Sequence, residues 1–223
     1  MIKAMSTVKH FINEALKRTE ISEFLQKELD RAGFGEVEIT TTPLGTRVVI
    51  HAMRLGIVIG RRGTAIRELA KKLEEKFGLP NPQIAVAEVE FPELNPRIMA
   101  ARIVDGLQRG IHFRRSGFWS LGKIMGAGAL GAEITISGKL RTRRHRYEKY
   151  RAGYIPNSGE PAMRNVKIAV RHAKLKPGVL GVKVKIVPPD AKFPDRINIM
   201  FPSSGVEEMD NEGSIEEPIS KEE

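Results

Sequence analysis

The spacing of apolar residues predicts two helices and then two strands in the first fifty residues of the chain. Residues 6–18 and 20–32 carry apolar side chains at helical spacing, and Gly33 is a suitable end for the second helix. Residues 36–42 and 46–53 are rich in β-branched side chains, which favours strands. A short connection with proline and glycine separates these strands, so the pattern predicts a hairpin.

A glycine-rich stretch, GIVIGRRGTAIREL at residues 56–69, leads from the strands into a third predicted helix. Apolar residues recur there at helical spacing with charged residues between them, as far as Gly78. The apolar run at residues 57–59 is expected to pack down against the core. A strand over residues 84–89 follows this amphipathic helix, and a proline-rich joint comes after the strand.

The second half of the chain has a different order, in which helices come before strands. Asn95 can cap and Pro96 can begin a helix to about Gly110, and another helix is predicted from Arg114 to about Met125. Alternation of apolar and polar residues then predicts strands with one apolar and one basic face. The apolar positions of these strands are Ala132, Ile134 and Ile136, then Val166, Ile168 and Val170, then Val182, Val184 and Ile186.

Together these elements predict an α+β protein with two domains, in which helices pack on one small sheet each. A helical extension at residues 1–16 precedes a domain with a three-stranded mixed sheet at 17–94. A second domain, with two helices on a four-stranded sheet, is predicted at 95–200, and the alternation of apolar and polar residues marks three of its strands. Beyond it the apolar pattern stops, and residues 201–223 are predicted to form an acidic disordered tail.

The net charge of the chain predicts a polyanionic partner. The 223 residues have a formal net charge of +10, but residues 203–223 hold eight acidic residues and one lysine. Residues 1–202 therefore contain 36 Lys and Arg against 19 Asp and Glu, a net charge of +17. A body of this charge is typical of proteins that bind nucleic acid.

The amino-acid composition also argues against a disulfide-linked, metal-binding, membrane or secreted protein. The chain has no cysteine, which excludes disulfides, thiolate catalysis and cysteine-ligated zinc. Its five histidines do not pair at a metal-ligand spacing, so neither a metal nor another cofactor is expected. No apolar run approaches the roughly 20 residues of a membrane span, and a secretory signal is lacking. We therefore expect a cytoplasmic protein with no membrane partner.

The glycines and arginines at residues 60–63 favour a site for phosphate. A nucleotide-binding P-loop requires a lysine directly after its second glycine, and this stretch has none there. A dinucleotide fingerprint requires two glycines separated by one residue directly after a strand, which the stretch also lacks. Backbone amides at the start of the next helix attract phosphate, and Arg61 and Arg62 add charge. The stretch VIGRRGTAI resembles the GXXG loop of the KH nucleic-acid-binding module, and the order of strands around it resembles the type II version. The alternative is a plain turn between helices with two solvated arginines.

A second basic segment, LRTRRHRYEKYRAGYIP at residues 140–156, interleaves cations with aromatic rings. Arginine forks grip phosphates, and the rings of Tyr147, Tyr150 and Tyr154 can stack on bases. So many charges of one sign repel each other unless a partner neutralises them. The segment therefore favours polyanion binding over a merely solvated surface.

The order of these motifs resembles the small-subunit ribosomal protein S three family, archaeal type, over nearly the whole chain. The resemblance is carried by VIGRRG, IHFRRSGFWSLGKIMGAGALGAEITISGKL, RAGYIP and GVLGVKVKI. It implies a type II KH domain, a C-terminal ribosomal α/β domain, and a place in the head of the small subunit beside the channel by which mRNA enters. The expected partners are small-subunit rRNA, mRNA and neighbouring ribosomal proteins, with a contribution to mRNA passage and unwinding.

The residues expected to bind RNA come from the glycine loop, the helix near Arg114 and the basic segment. They are Gly60, Arg61, Arg62, Gly63, Arg114, Arg115, Lys123, Lys139, Arg141, Arg143, Arg144, Arg146, Lys149 and Arg151. Bacterial members have a lysine three positions after the second arginine, where this chain has Phe118. This departure weakens the unwinding role more than the mRNA contact.

Two other classes compete with this interpretation. A nucleic-acid lyase or endonuclease, by analogy with eukaryotic members linked to DNA repair, needs an activated lysine or a carboxylate and metal cluster. Glu133 and Glu148 stand isolated among cations, so no catalytic residue is predicted. A free regulatory KH protein fits the loop but leaves the second basic domain unexplained.

Overall fold

The structure, a computed structural model, describes residues 7–42 and 45–194. This part of the chain contains six α-helices and seven strands. The helices are α1 (Thr7–Glu28), α2 (Leu55–Ile59), α3 (Thr64–Phe77), α4 (Pro96–Gln108), α5 (Phe113–Gly126) and α6 (Glu160–Asn165). The strands are β1 (Phe34–Thr42), β2 (Gly45–Ala52), β3 (Gln83–Glu88), β4 (Gly131–Gly138), β5 (Arg146–Gly153), β6 (Lys167–Leu175) and β7 (Gly178–Val187). The predicted α+β class is confirmed, while the tail predicted at 201–223 lies outside the described residues.

The first sheet has three strands in the order β1-β2-β3. β1 and β2 run antiparallel, and β3 runs parallel to β2 because the chain crosses over through α2 and α3 before it returns. The core of this region includes Leu25, Phe34, Ile50 and Leu73, which are fully buried. The three-stranded mixed sheet predicted here is confirmed.

Helix α1 differs from the prediction, since one continuous helix of 22 residues replaces two. Thr19 lies at the predicted break, but it is part of the helix, and its hydroxyl donates a hydrogen bond to the Ala15 carbonyl one turn earlier (3.0 Å). Leu25 is buried as predicted, whereas Phe11 and Leu16 are 68% and 54% exposed. The first half of α1 therefore does not join the core that its second half covers.

The second sheet has four antiparallel strands in the order β5-β4-β7-β6. Helix α4 packs against β6 and β7, and α5 packs against β4 and β5. The core between helices and sheet includes Ile103, Ile124 and Ile134. Asn95 caps α4 as predicted, because its side-chain oxygen accepts a hydrogen bond from the Arg97 amide (3.0 Å). The two-helix layer on a four-stranded sheet is thus confirmed.

Two strands of this sheet depart from the predicted pattern. β5 lies inside the basic segment, where charged residues hide its alternation. β6 has the opposite phase from the one predicted, since Ile168 and Val170 are each 53% exposed while Ala169 and Ala173 are buried. Helix α4 packs on this strand, and small alanine side chains suit the close approach of a helix. The short helix α6 was not predicted by the sequence pattern.

Two arginines connect the region around the first sheet with the region around the second sheet. Both regions belong to one compact unit that ends at Lys192. Arg171 on β6 forms an ion pair with Asp30, which follows α1. Arg102 on α4 contacts the Met53 sulfur (3.2 Å) and donates a hydrogen bond to Glu93 (3.0 Å). Burial alone would raise the pKa of Glu93, but the hydrogen bond and charge of Arg102 outweigh it and hold that pKa below its usual value.

Candidate nucleic-acid interface

The GRRG loop is a short turn between α2 and α3. Gly60 has φ 71° and ψ −179°, and a Cβ atom there would lie 2.6 Å from the Cβ of Ala65, so only glycine fits. Gly63 has φ 74° and ψ 19° and precedes α3 in the left-handed region. The two glycines hold the loop open at the amino end of a 14-residue helix, where amide groups and the helix dipole favour phosphate.

Both arginines of the loop face solvent. Arg61 and Arg62 are exposed, and neither side chain has a hydrogen bond or ion pair with a residue that the structure describes. Arg62 also has φ 53° and ψ 26°, a left-handed conformation that costs roughly 1–2 kcal/mol for a residue other than glycine. Backbone strain of this kind is concentrated at ligand sites, which supports a binding role for the loop.

The apolar run before the loop does not pack down as predicted. Only Val58 is buried, whereas Ile57 and Ile59 are 45% and 41% exposed. Successive helix residues point about 100° apart, so three in a row cannot all face the core. The two isoleucines instead give the loop an apolar margin beside its cations.

Strand β5 divides the basic segment between the two sides of the second sheet. Side chains alternate along a strand, and the register pairs Tyr150 with the buried Ile134, so Tyr150 faces the helices. The helix side of β5 carries Arg146, Glu148 and Tyr150, and the outer side carries Tyr147, Lys149 and Arg151. The segment therefore forms parts of two surfaces rather than one.

On the helix side, Arg114 of α5 is bound to β5. Its Nε and Nη2 donate hydrogen bonds to the two carboxylate oxygens of Glu148 (3.2 and 3.3 Å), and the Tyr150 hydroxyl donates to the same carboxylate (2.9 Å). The hydrogen bond from Arg114 holds the pKa of Glu148 below its usual value. Burial and the bond to Glu148 raise the pKa of Tyr150 to about 12. Arg115, by contrast, is exposed and has no partner within the described part of the chain.

Tyr150 is not available for stacking on bases, contrary to the prediction for the basic segment. It is 6% exposed, and its ring lies against Gly117 of α5, where a Cβ would be 2.6 Å from two ring carbons. Tyr147 and Tyr154 are 69% and 50% exposed. The pattern could not distinguish the three tyrosines, because charged residues occupy both sides of β5.

The outer side of the second sheet is basic, and one buried carboxylate organises it. Glu133 is 4% exposed, and its carboxylate lies 3.3 Å from Nζ of Lys185 and 3.8 Å from Nζ of Lys149. Lys183 is exposed on the same side of β7. The residues predicted to bind RNA omit Lys183 and Lys185, although the alternation in GVKVKI places both on one strand face.

The remaining predicted cations lie in the connection between β4 and β5 and on α5. The connection exposes Lys139, Arg141, Arg143 and Arg144. Lys123 on α5 places its Nζ 4.3 Å from the ring centroid of Trp119. The predicted residues thus fall on the GRRG loop, on α5 with the helix side of β5, and on the β4–β5 connection with the outer side of β5. Contact of each residue with RNA remains a prediction.

The acidic side chains near these surfaces, Glu133 and Glu148, form ion pairs with basic side chains and do not cluster with other acidic residues that the structure describes. Across residues 7–42 and 45–194, no three His, Asp or Glu side chains lie close enough to hold a metal ion. None of the helices in that part of the chain combines the length and the apolar character needed to cross a membrane.

Comparison with known proteins connects these surfaces to one family. Residues 20–94 match the model of the KH domain, and residues 103–186 match that of ribosomal protein S3, C-terminal domain. A small ribosomal subunit protein uS3 from Methanobrevibacter smithii is 50% identical over 209 residues, which cover 94% of this chain and 84% of that protein. The chain belongs to the uS3 family. The uS3 of Methanothermobacter thermautotrophicus is 51% identical over 188 residues, covering 84% of this chain and 73% of that protein. The uS3 of Ignicoccus hospitalis is 49% identical over 178 residues, with coverages of 80% and 74%.

Membership of the uS3 family confirms the resemblance drawn from VIGRRG and GAEITISGKL. The KH match contains the GRRG loop, and the C-terminal match contains α5, the basic segment and the outer side of the second sheet. The uS3 relatives are named as ribosomal proteins rather than as enzymes, which confirms the prediction of a non-catalytic protein. The domain limits 17–94 and 95–200 stay predictions.

Proposed function

We propose that this chain is a structural constituent of the small ribosomal subunit in the cytoplasm, where it binds rRNA in the head region and lines the channel by which mRNA enters. Relatives that match most of its length carry the name small ribosomal subunit protein. Its partners are then rRNA, mRNA and neighbouring ribosomal proteins. The net charge of +17 in residues 1–202 suits a protein surrounded by RNA.

The observation that carries the proposal is the presence of cations on both sides of the second sheet. Arg115 and Lys123 are exposed on α5, which covers one side, and Lys149 and Lys183 are exposed on the other side. A protein that binds a single nucleic-acid strand needs one basic surface. Basic surfaces on two opposite sides favour a protein that lies between RNA elements and contacts both.

The two sides suit different RNA partners. On the outer side, Glu133 positions Lys149 and Lys185, and such preorganised charges suit a permanent contact with rRNA. On the α5 side, Arg115 is an unpaired cation on a helix surface, which suits a strand that passes rather than stays. We assign rRNA to the outer side of the sheet and mRNA to α5.

Cross-linking in assembled small subunits tests this assignment. A photoreactive amino acid replaces Arg115 in one epitope-tagged variant and Lys183 in the matched control, both at exposed positions. We expect both variants to sediment with small subunits. The probe at 115 should cross-link to a labelled mRNA that extends downstream of the decoding site, and the probe at 183 should cross-link to rRNA only.

Each half of the proposal has its own contradicting result. A tagged chain that stays at the top of the sucrose gradient would contradict the ribosomal role. Sedimentation with small subunits, together with a cross-link from position 115 to rRNA alone, would keep that role and contradict the place beside mRNA.

A further inference from the structure

Helix α5 presents two aromatic side chains to solvent. Phe118 is 63% exposed and Trp119 is 53% exposed. Rings of this size bury about 150–250 Å² each when they are covered, so leaving two neighbours open to water is unfavourable unless a ligand covers them. We call Phe118 and Trp119 the aromatic ridge.

The ridge is held in place by contacts beneath and beside it. The Phe118 ring lies edge to face with the Tyr150 ring, with centroids 5.0 Å and planes 65° apart. Tyr150 is itself buried and donates a hydrogen bond to Glu148 (2.9 Å). Lys123 makes a cation–π contact with Trp119 at 4.3 Å from the ring centroid. Rings that are already oriented lose little conformational entropy when a ligand stacks on them.

Cations flank the ridge at both ends. Arg115 precedes Phe118 by about one helical turn, and Lys123 follows Trp119 by about one turn, so about 12 Å of helix separates the two charges. Glu148 pairs with the neighbouring Arg114 and leaves Arg115 open to a ligand. Helix α5 contains three basic residues and no acidic residue. A ligand with planar faces and regularly spaced negative charges matches this surface better than a protein does.

We propose that the aromatic ridge is a stacking platform for unpaired bases of single-stranded RNA, with Arg115 and Lys123 at the flanking phosphates. The inference rests on the proposed function, in which α5 borders the mRNA. Stacking does not depend on sequence because every base has a π-face, and it changes affinity by about 5- to 150-fold per base.

Fluorescence of Trp119, the chain's only tryptophan, tests the platform in the full-length protein. The probes are an oligoadenylate of twelve nucleotides and the same ribose-phosphate backbone without bases. We expect the oligoadenylate to quench Trp119 saturably and the abasic strand to leave it unquenched. Phe118→Leu keeps an apolar side chain but removes the ring, and should raise the half-saturating concentration at least about 5-fold. The matched control is Phe11→Leu on α1, which makes the same change at another exposed phenylalanine (68%) and should change nothing.

Anisotropy of labelled oligoadenylate reports binding anywhere on the chain and separates the outcomes. Binding without quenching of Trp119 would show that RNA lies elsewhere on the chain, which overturns the proposal. Equal quenching by the abasic strand, or an unchanged half-saturation in Phe118→Leu, overturns it as well. Failure of the proposed function appears separately, as loss of sedimentation with small subunits or of the mRNA cross-link from position 115.

Discussion

Two glycines on helix α5 should respond to alanine in opposite directions. Gly117 faces the sheet, and a Cβ there would lie 2.6 Å from two ring carbons of Tyr150. That ring is buried and cannot withdraw without disturbing its hydrogen bond to Glu148. Gly122 is exposed, and a Cβ there meets nothing within 4 Å. Neither glycine has a positive φ, so the backbone accepts alanine at both positions.

The magnitudes follow from helix propensity and from packing. Replacing glycine by alanine inside a helix stabilises it by about 0.8–1 kcal/mol, and Gly122→Ala should gain about this amount. At Gly117 the same gain opposes the cost of overpacking, about 1–3 kcal/mol, and a contact of 2.6 Å lies about 1 Å inside the optimal distance between carbon atoms. Because the new methyl group would meet two ring carbons at this distance, the cost lies in the upper part of that range, and we expect Gly117→Ala to lower the free energy of unfolding by about 1–2 kcal/mol.

Urea unfolding of the full-length chain, followed by Trp119 fluorescence on the same helix, measures both effects. With a slope of about 1–3 kcal/mol per molar urea, the two midpoints should lie about 1 M apart. Combining Gly117→Ala with Tyr150→Leu removes the ring that the new methyl group meets, so the penalty of the alanine should disappear. Equal midpoints for Gly117→Ala and Gly122→Ala would refute this reasoning, and so would a penalty that persists in full without the tyrosine ring.

Tyr150 and the GRRG loop give two further predictions. The pKa of Tyr150 is raised to about 12 from a usual 10.0, so the stability that this group contributes below pH 10 should be lost as the pH rises towards 12. A near-ultraviolet absorbance titration should show this late ionisation in the wild type and lose it in Tyr150→Phe; its absence from the wild type would show that the ring is not held as described. For the loop, replacing Arg61 and Arg62 together by alanine in the full-length chain should flatten the slope of log affinity for single-stranded RNA against log salt by about 1.4, at about 0.7 per phosphate. Replacing Lys9 and Lys17 on α1 is the matched control, and equal slopes in the two double variants would place the loop arginines away from RNA.

Local patterns in the sequence determined several structural elements of this protein. Residues close together in the chain carry the signals for the amphipathic α3, the Asn95 cap and the two glycines of the GRRG loop, and all three lie in the structure as predicted. The family resemblance rested on such short stretches as well. These features depend on hydrogen bonds and dihedral angles within one turn, so the order of neighbouring residues is enough to specify them.

Tertiary structure alone decided which of the predicted side chains are available to a ligand. Arg114 and Arg115 are adjacent and chemically alike, yet only Arg114 meets Glu148, which lies 34 residues further along the chain and is brought to α5 by strand pairing. Tyr150 is buried for the same reason, because the register with β4 turns it towards the helices. A strand with charges on both sides carries no period-two signal of its orientation, and an ion pair between distant residues exists only once the sheet has aligned them.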